Sequence, residues 1–404
     1  MGTPGHLKKI GAVNILNRKN RRFLPYGIHS ISSDDIEEVS NALVQEYITN
    51  GKSIELFEQR LSELTSAKYV VACANGTAAL HLSCLAIGLK KGDVAIVPSI
   101  SFLATANSVK YCGADVLFAD VCPETGLMTS ETYKDALDVA NSGGLKVRAV
   151  LPVHLTGTPV DLEEIHELSQ KQNIKIIADS CHAIGGSYYN KPIGACIFED
   201  FATFSFHPVK TVTTGEGGAV TTNNLQAAEK MKALRSHNMK KSDSMFAWEY
   251  EMHDLGFNYR INDFQCALGI SQLNKLKKFV KKRQALVSLY DKLLSGFSPT
   301  VQTRVKASSG KDVAPHLYSI LIDFSSVNLS RQQVIEGLAK LGVGSQVHYI
   351  PIHTQPYYQK QYGNVELKGA KKYYESTLSL PLYPLMELED VNYVVTSLKQ
   401  VLGI

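Results

Sequence analysis

The feature that most constrains this chain is a repeated alternation of short strand-like runs with helix-length segments. Apolar runs fall at residues 69–74, 95–98, 116–119, 147–153 and 174–178, with helical candidates between them at 77–87, 105–111 and 162–172. Two earlier segments also read as helices. One is residues 33–47, with Ile36, Val39 and Leu43 on one face and Ser32 or Ser33 as cap; the other is residues 54–64. Parallel strands need crossovers of helix length, and a sheet of that kind is covered on both faces. The expected fold class is therefore α/β, with a large, mostly parallel sheet domain. A lysine-rich helical stretch over residues 263–294 leads from it into a less regular part rich in Tyr, Pro and His, read as a smaller α+β lobe. The expected divisions are a basic, flexible tail over residues 1–24, the large domain over 25–275 and the small C-terminal domain over 276–404.

Composition narrows the function classes. A chain of 404 residues, 44% hydrophobic and 20% charged, can bury a sizeable core. No apolar run is long enough to span a membrane and no secretory segment follows the N-terminus, so a cytoplasmic protein without membrane contact is expected. The seven cysteines are scattered without CxxC spacing, so neither a disulfide framework nor a metal site is expected. Six of the 42 basic residues lie in residues 1–22, which hold no acid, and the remainder carries 36 basic against 38 acidic residues. A body so near neutrality lacks the basic stripe of a nucleic-acid enzyme.

Open α/β sheets bind ligands at the carboxyl ends of their strands, which directs attention to the residues just after each run. Asn75-Gly76-Thr77-Ala78 follows the first run and opens a helix, whose free amides and positive dipole end suit a phosphate. Asp179 follows the run 174–178 and reads either as a helix cap or as the partner of a pyridinium nitrogen. Phe102 and His182 stand where they can flank a planar ring, although each taken singly also reads as packing. Cys181 beside His182 is not a nucleophilic pair, because adjacent residues on an extended chain point to opposite sides. Lys210 lies in a loop between the runs 201–206 and 219–222, ahead of a glycine-rich turn. Burial there lowers the pKa of an amine and fits it to attack a carbonyl. A structural lysine paired with Glu216 is the alternative reading of the loop alone.

Taken in order, the phosphate turn, the acid, the stacking pair and the loop lysine match a fold-type I enzyme of pyridoxal 5′-phosphate (PLP). From about Phe23 onward the chain resembles the DegT/DnrJ/EryC1/StrS family of nucleotide-sugar aminotransferases. The resemblance rests on Asn75-Gly76-Thr77, on Ala-Asp-Ser-Cys-His-Ala-Ile-Gly over 178–185, on Phe-Ser-Phe-His-Pro-Val-Lys-Thr-Val-Thr-Thr-Gly-Glu-Gly-Gly over 204–218, and on Leu-Gly-Phe-Asn-Tyr-Arg-Ile-Asn over 255–262. It implies that Lys210 carries PLP, which cycles through pyridoxamine phosphate, and that Asp179 faces the pyridine nitrogen. It also implies that Gly76, Thr77, Ala78 and Ser205 hold the phosphate and that Phe102 and His182 sandwich the ring. A homodimer with shared active sites is implied, in which Asn258 and Arg260 reach the neighbouring subunit's cofactor. L-Glutamate is the implied amino donor. Within the family, His182, His316-Leu-Tyr-Ser-Ile and Gln346-Val-His-Tyr-Ile-Pro-Ile-His353 are most similar to transaminases of pseudaminic acid synthesis, which implies a UDP-linked 4-keto-6-deoxy-N-acetyl-L-hexosamine as acceptor. The implied contacts to sugar or diphosphate are His316, His348, Tyr349, His353 and the turn from Thr49 to Gly51. Amination of another UDP- or dTDP-keto sugar, a PLP-dependent sugar dehydratase, and a non-catalytic binding protein on the same scaffold are the other readings.

Overall fold

The computed structural model describes residues 23–241, 246–303 and 310–404. The basic residues 1–22 lie outside the described residues. Helices α1 (Ser33–Leu43) and α2 (Lys52–Thr65) precede the first strand, β1 (Tyr69–Cys73). Strands and helices then alternate through α3 (Gly76–Ala86), β2 (Val94–Pro98), α4 (Leu103–Tyr111), β3 (Asp115–Ala119), α5 (Ser130–Ser142), β4 (Val147–Val150), α6 (Leu162–Gln170) and β5 (Lys175–Asp179). A short hairpin of β6 (Ser187–Tyr188) and β7 (Lys191–Pro192) leads to β8 (Phe201–Ser205) and β9 (Gly218–Thr222). Helix α7 (Leu225–Arg235) and the antiparallel pair β10 (Met239–Lys240) and β11 (Glu251–Met252) come before α8 (Asp263–Leu294).

Seven of these strands form one sheet in the order β1-β9-β8-β5-β4-β2-β3. Pairing is parallel from β8 through β3, whereas β9 runs antiparallel to both of its neighbours, β1 and β8. Alternate residues of each strand enter different cores. Val70, Ala72, Ile96 and Ile176 pack on one face, and Val71, Cys73, Val97 and Ile177 on the other. Helices cover both faces, as the near-continuous apolar runs require.

The small lobe is more regular than its sequence indicates. It contains β12 (Val301–Gln302), β13 (Lys311–Asp312), β14 (Tyr318–Ile322), α9 (Arg331–Lys340), α10 (Pro356–Tyr362), α11 (Lys368–Ser376), β15 (Thr377–Leu380) and α12 (Leu388–Leu402). Strands β12, β14 and β15 make an antiparallel sheet, and β13 pairs with β6 of the large domain. Helix α8 joins the two parts without a break: Leu276, Phe279 and Val280 enter the large-domain core, and Leu286, Val287, Tyr290 and Leu294 the small one. The expected division between residues 275 and 276 thus falls inside this helix. Leu24, assigned to the tail from sequence, is buried in the small-lobe core, and its N–H donates to Gly342 O at 2.7 Å.

Helix α1 differs from its apolar periodicity. Ile36 and Leu43 are 51% and 53% exposed, and the residues turned inward are Asp35 and Ala42. The Asp35 carboxylate accepts from Ser271 Oγ at 2.7 Å and Gln272 Nε2 at 3.0 Å and pairs with Lys275, all on α8. That polar anchor fixes the rotation of α1 and turns its apolar stripe outward. Helices α5 and α7 also escape the sequence reading, although α5 carries Tyr133, Ala136, Leu137 and Ala140 at helical spacing on its buried side.

Candidate active site

The carboxyl ends of β1, β2, β5 and β8 meet the small lobe around a cavity of about 690 Å³. After β1, Asn75 caps α3: its side-chain oxygen accepts the Ala78 N–H at 2.8 Å, and its carbonyl accepts the Ala79 N–H. The amides of Gly76 and Thr77 in the first turn point away from the helix's own hydrogen-bond ladder. Gly76 has no room for a side chain. A Cβ there would sit 2.8 Å from Ser205 Cβ and 3.3 Å from Cys181 Sγ. The close approach brings the Ser205 hydroxyl at the end of β8 beside the α3 N-terminus, and both line the cavity. Gly218 serves the same junction, since a Cβ there would lie 2.2 Å from Asn75 O.

Asp179, the last residue of β5, is buried and lines the cavity. Thr105 Oγ1 donates to its Oδ2 at 2.8 Å, and the Cys181 N–H donates to its Oδ1 at 3.2 Å. Ser101 Oγ lies 2.7 Å from Thr105 Oγ1. Because the Thr105 hydrogen is committed to Asp179, Ser101 is the donor in that pair. The carboxylate is thereby held in one orientation from two sides.

The Lys210 loop is tied back on itself. Phe206 O accepts the Thr214 N–H at 3.0 Å and the Thr213 hydroxyl at 2.9 Å, and the Lys210 N–H donates to His207 O at 2.9 Å. Burial pushes the Lys210 amine below the ordinary lysine value, against smaller opposing pulls from Cys181 and Asp179. Burial and the neighbouring Asp179 charge push the Cys181 thiol well up, which keeps it protonated.

His182 Nδ1 accepts the Thr156 N–H at 3.2 Å, so its proton sits on Nε2, which faces Tyr349 OH at 3.3 Å. Burial, together with the Lys210 charge, holds His182 well below the usual histidine pKa. His316 stands 4.5 Å from it between ring centroids, is depressed in the same way, and has a buried Nδ1 with no hydrogen-bond partner among the described residues. His348 is bonded through Nδ1 to Ser379 Oγ at 2.8 Å, and burial lowers it to about 3. Phe102 caps α4 on the opposite side, 57% exposed, with its ring 6.0 Å from that of Tyr349.

Of the residues singled out from sequence, Gly76, Thr77, Phe102, Asp179, His182, Ser205, Lys210, His316, His348 and Tyr349 come together around this cavity. Ala78 is buried behind it, its amide already taken by Asn75. His353 lies outside, with Nδ1 on Ser99 Oγ at 2.5 Å and its ring packed toward Phe118. Thr49 and Gly51 also stand apart: Thr49 bridges Asn262, and the Gly51 N–H donates to Asp263 Oδ2 at 2.8 Å. Asn258 and Arg260 lie on the segment that bridges Ser236, away from this chain's own cavity. Sequence reading passed over Ser101 and Thr105, which orient Asp179, and Tyr26, and it quoted Gln346 within a motif without assigning it a contact; Tyr26 and Gln346 complete the cavity wall. The hydroxyls follow β2 directly and share the post-strand signal that drew attention to Phe102; Tyr26 has no local signal.

A sequence model of the DegT/DnrJ/EryC1/StrS aminotransferase family matches residues 29–399. The chain belongs to that family. It is 36% identical over 379 residues to a UDP-4-amino-4,6-dideoxy-N-acetyl-beta-L-altrosamine transaminase of Campylobacter jejuni, covering 94% of this chain and 97% of the relative. Among solved structures it is similar to Helicobacter pylori PseC, an aminotransferase involved in the biosynthesis of pseudoaminic acid, with a TM-score of 0.86 and 30% identity over 94% of this chain and 99% of that one. It is also similar to Spr1654 of Streptococcus pneumoniae in its PLP form, with a TM-score of 0.84 and 25% identity over 94% and 99% of the two chains. The family places the fold among fold-type I PLP aminotransferases. The residues at the cavity fit that cofactor on their own geometry: a cradle that a Cβ would fill, a carboxylate fixed at a strand end, and an amine that burial biases toward its neutral form.

Proposed function

We propose that this chain transfers the amino group of L-glutamate to a UDP-linked 4-keto-6-deoxy-N-acetyl-L-hexosamine, using PLP held by Lys210. The observation that carries the reading is the convergence of Lys210, Asp179 and the Gly76–Thr77 turn on one cavity. Bound there, the cofactor supplies the electron sink that lets an amino group pass between two carbon skeletons. The chain's own residues divide the remaining work. The Gly76 and Thr77 amides and the Ser205 hydroxyl bind the phosphate at the positive end of α3. Asp179, oriented by Thr105 and Cys181, would hold the proton on the ring nitrogen. Phe102 and His182 would bound the ring's faces. The Lys210 amine would take and return the proton at the donor's Cα, a general acid/base role worth ~10²–10⁴-fold. His316, His348 and Tyr349, all neutral, offer donors and acceptors to the sugar or diphosphate without a competing charge.

The working unit in this reading is a cytoplasmic homodimer. Leu255 and Trp248 are 79% and 73% exposed, in a segment that leads directly to Asn258 and Arg260. Together with the outward apolar stripe of α1, these residues form a surface for a second copy, whose cavity receives Asn258 and Arg260. Thr49 and Gly51 lie beside that segment through the Thr49–Asn262 bridge. The seven free cysteines suit a reducing compartment, and no helix of the described residues is long and apolar enough to cross a membrane.

The activities named for the Campylobacter and Helicobacter relatives support the choice of sugar. The test is a panel of UDP- and dTDP-keto sugars added to the pyridoxamine form, following the return of the PLP absorbance. Response to the UDP-4-keto sugar is expected. Response to dTDP sugars alone overturns the substrate, and response to none overturns the transaminase reading.

A further inference from the structure

The joint between the two parts of the molecule holds a buried guanidinium. Arg283 lies on α8 between Val280, which enters the large-domain core, and Leu286, which enters the small one, and it is 1% exposed. Its Nη1 donates to His316 O at 3.1 Å and to Leu382 O at 2.8 Å. Those are its hydrogen bonds among the described residues, and its buried Nε has no partner there. Burial lowers the group to about 10, which leaves it charged at neutral pH. A buried charge is costly, and an unbranched apolar side chain would fill the space among Leu and Val neighbours without that cost. What an apolar chain could not do is bond two carbonyls at once.

Both carbonyls belong to backbone that carries the cavity wall. His316 is a wall residue, and its N–H donates to Thr156 O at 2.8 Å. Its peptide is therefore held by the large domain through the N–H on one side and by α8 through the C=O on the other. The Leu382 N–H donates at 3.0 Å to the carbonyl of Tyr26, a second wall residue. Two neutral side chains of α8 grip the same stretches nearby: Gln284 Nε2 donates to Val313 O at 2.9 Å, and Tyr290 OH to Pro381 O at 3.0 Å. Of these three α8 residues, Arg283 alone bonds both stretches, and its bonds are charge-assisted.

We propose that Arg283 is a positioning residue of the acceptor site: by tying the His316 and Leu382 carbonyls to one nitrogen, it sets where His316 and Tyr26 stand on the cavity wall and so how the keto sugar fits. The assignment to the acceptor rests on the reading of His316 as a sugar or diphosphate contact. The chemical groups have their own ties, since Asp179 is held by Thr105 and Cys181, and the Lys210 loop by bonds to Phe206 O. None of these runs through Arg283. Its loss therefore acts on acceptor binding and leaves the cofactor and the proton step in place.

The test uses the PLP-loaded full-length enzyme with glutamate and the UDP-4-keto sugar. Arg283→Met removes both bonds and is expected to raise the sugar KM about tenfold with kcat within about twofold, the pattern of lost uniform binding. The glutamate half-reaction at saturation and the PLP affinity are expected to stay at wild-type values. Arg283→Lys keeps the charge without the fork and is expected to raise the sugar KM about threefold. Hydrogen–deuterium exchange reads the clamp without any substrate. In Arg283→Met the amides of His316 and Leu382 should exchange about tenfold faster, with the amides of β5 and β8 unchanged. Should that variant fold poorly, the same measurements on Arg283→Lys decide, with a smaller shift in the same direction. Unchanged exchange at His316 and Leu382 overturns the clamp. A sugar KM that stays at the wild-type value, or one that rises together with equal losses in PLP affinity and in the glutamate half-reaction, overturns the positioning role. Faster exchange in a protein whose wild type aminates no keto sugar keeps the clamp and overturns its assignment to the acceptor.

Discussion

On the large-domain side of the cavity, Ser101, Thr105, Asp179 and Cys181 are linked by hydrogen bonds of 2.7–3.2 Å. On the small-lobe side, His316 Nδ1 has no partner among the described residues, and Tyr349 reaches His182 only at 3.3 Å. Around Asp179 the polar groups are paired before any ligand arrives; His316 awaits a partner. A pre-bonded wall keeps its geometry whatever molecule enters, which suits chemistry common to every substrate. Unpaired buried groups are costly until a ligand supplies their partners, which suits discrimination between substrates.

This contrast can be broken most directly at Lys210. Lys210→Ala is expected to lower turnover by ~10³-fold or more with the thermal unfolding transition in place, measured by single-turnover amino transfer from glutamate. Full activity in that variant would sink the assignment of chemistry to this wall. Asp179→Asn should cost on the order of 10²-fold in kcat, because it removes a fixed charge rather than a shape. Gly76→Ala drives a Cβ to within 2.8 Å of Ser205 Cβ and should weaken PLP affinity about tenfold, at a stability cost of ~1–3 kcal/mol, read by cofactor titration and melting.

The small-lobe wall gives smaller effects. His348 titrates at about 3 in the fold against an ordinary value of 6.5, so the unfolded chain binds its proton first as pH falls. Stability from this residue is full above pH 6.5 and is lost progressively down toward pH 3. The expected loss between pH 7 and 5.5 is about 1 kcal/mol, seen as a lower urea midpoint. His348→Gln should remove this residue's share of the slope, to which the likewise depressed His182 and His316 add theirs; a wild-type urea midpoint that stays constant over this pH range would contradict neutral buried imidazoles. Gln346→Ala should raise the sugar KM about fivefold and leave kcat within twofold, the pattern of lost uniform binding. A fall in kcat with KM unchanged would place Gln346 on the chemical wall instead.

The same division explains what the sequence made legible. Asp179, Lys210 and the Gly76 turn were visible because each sits directly beside a strand whose apolar run marks it, and the strand ends of an α/β sheet converge by topology alone. The position of His353, by contrast, depends on packing between Ser99 and Phe118, which no local pattern reports. Helix α1 misled for a related reason: Asp35 meets its partners on α8 more than two hundred residues later, and that anchor overrides the apolar stripe. The small-lobe strands are short and interrupted by turns, so their order emerges only when α8 supplies an apolar face to pack against.

The antiparallel strand β9 has a consequence for the lysine. Its pairing with β8 pins both ends of the segment from Phe206 to Gly217 on adjacent strands, about 4.8 Å apart. In polymer terms the segment is a closed ring, and its closure entropy is met when the sheet forms. Cofactor capture therefore does not have to order the chain that carries the amine. Folding alone loads the spring clip, and the clip waits open.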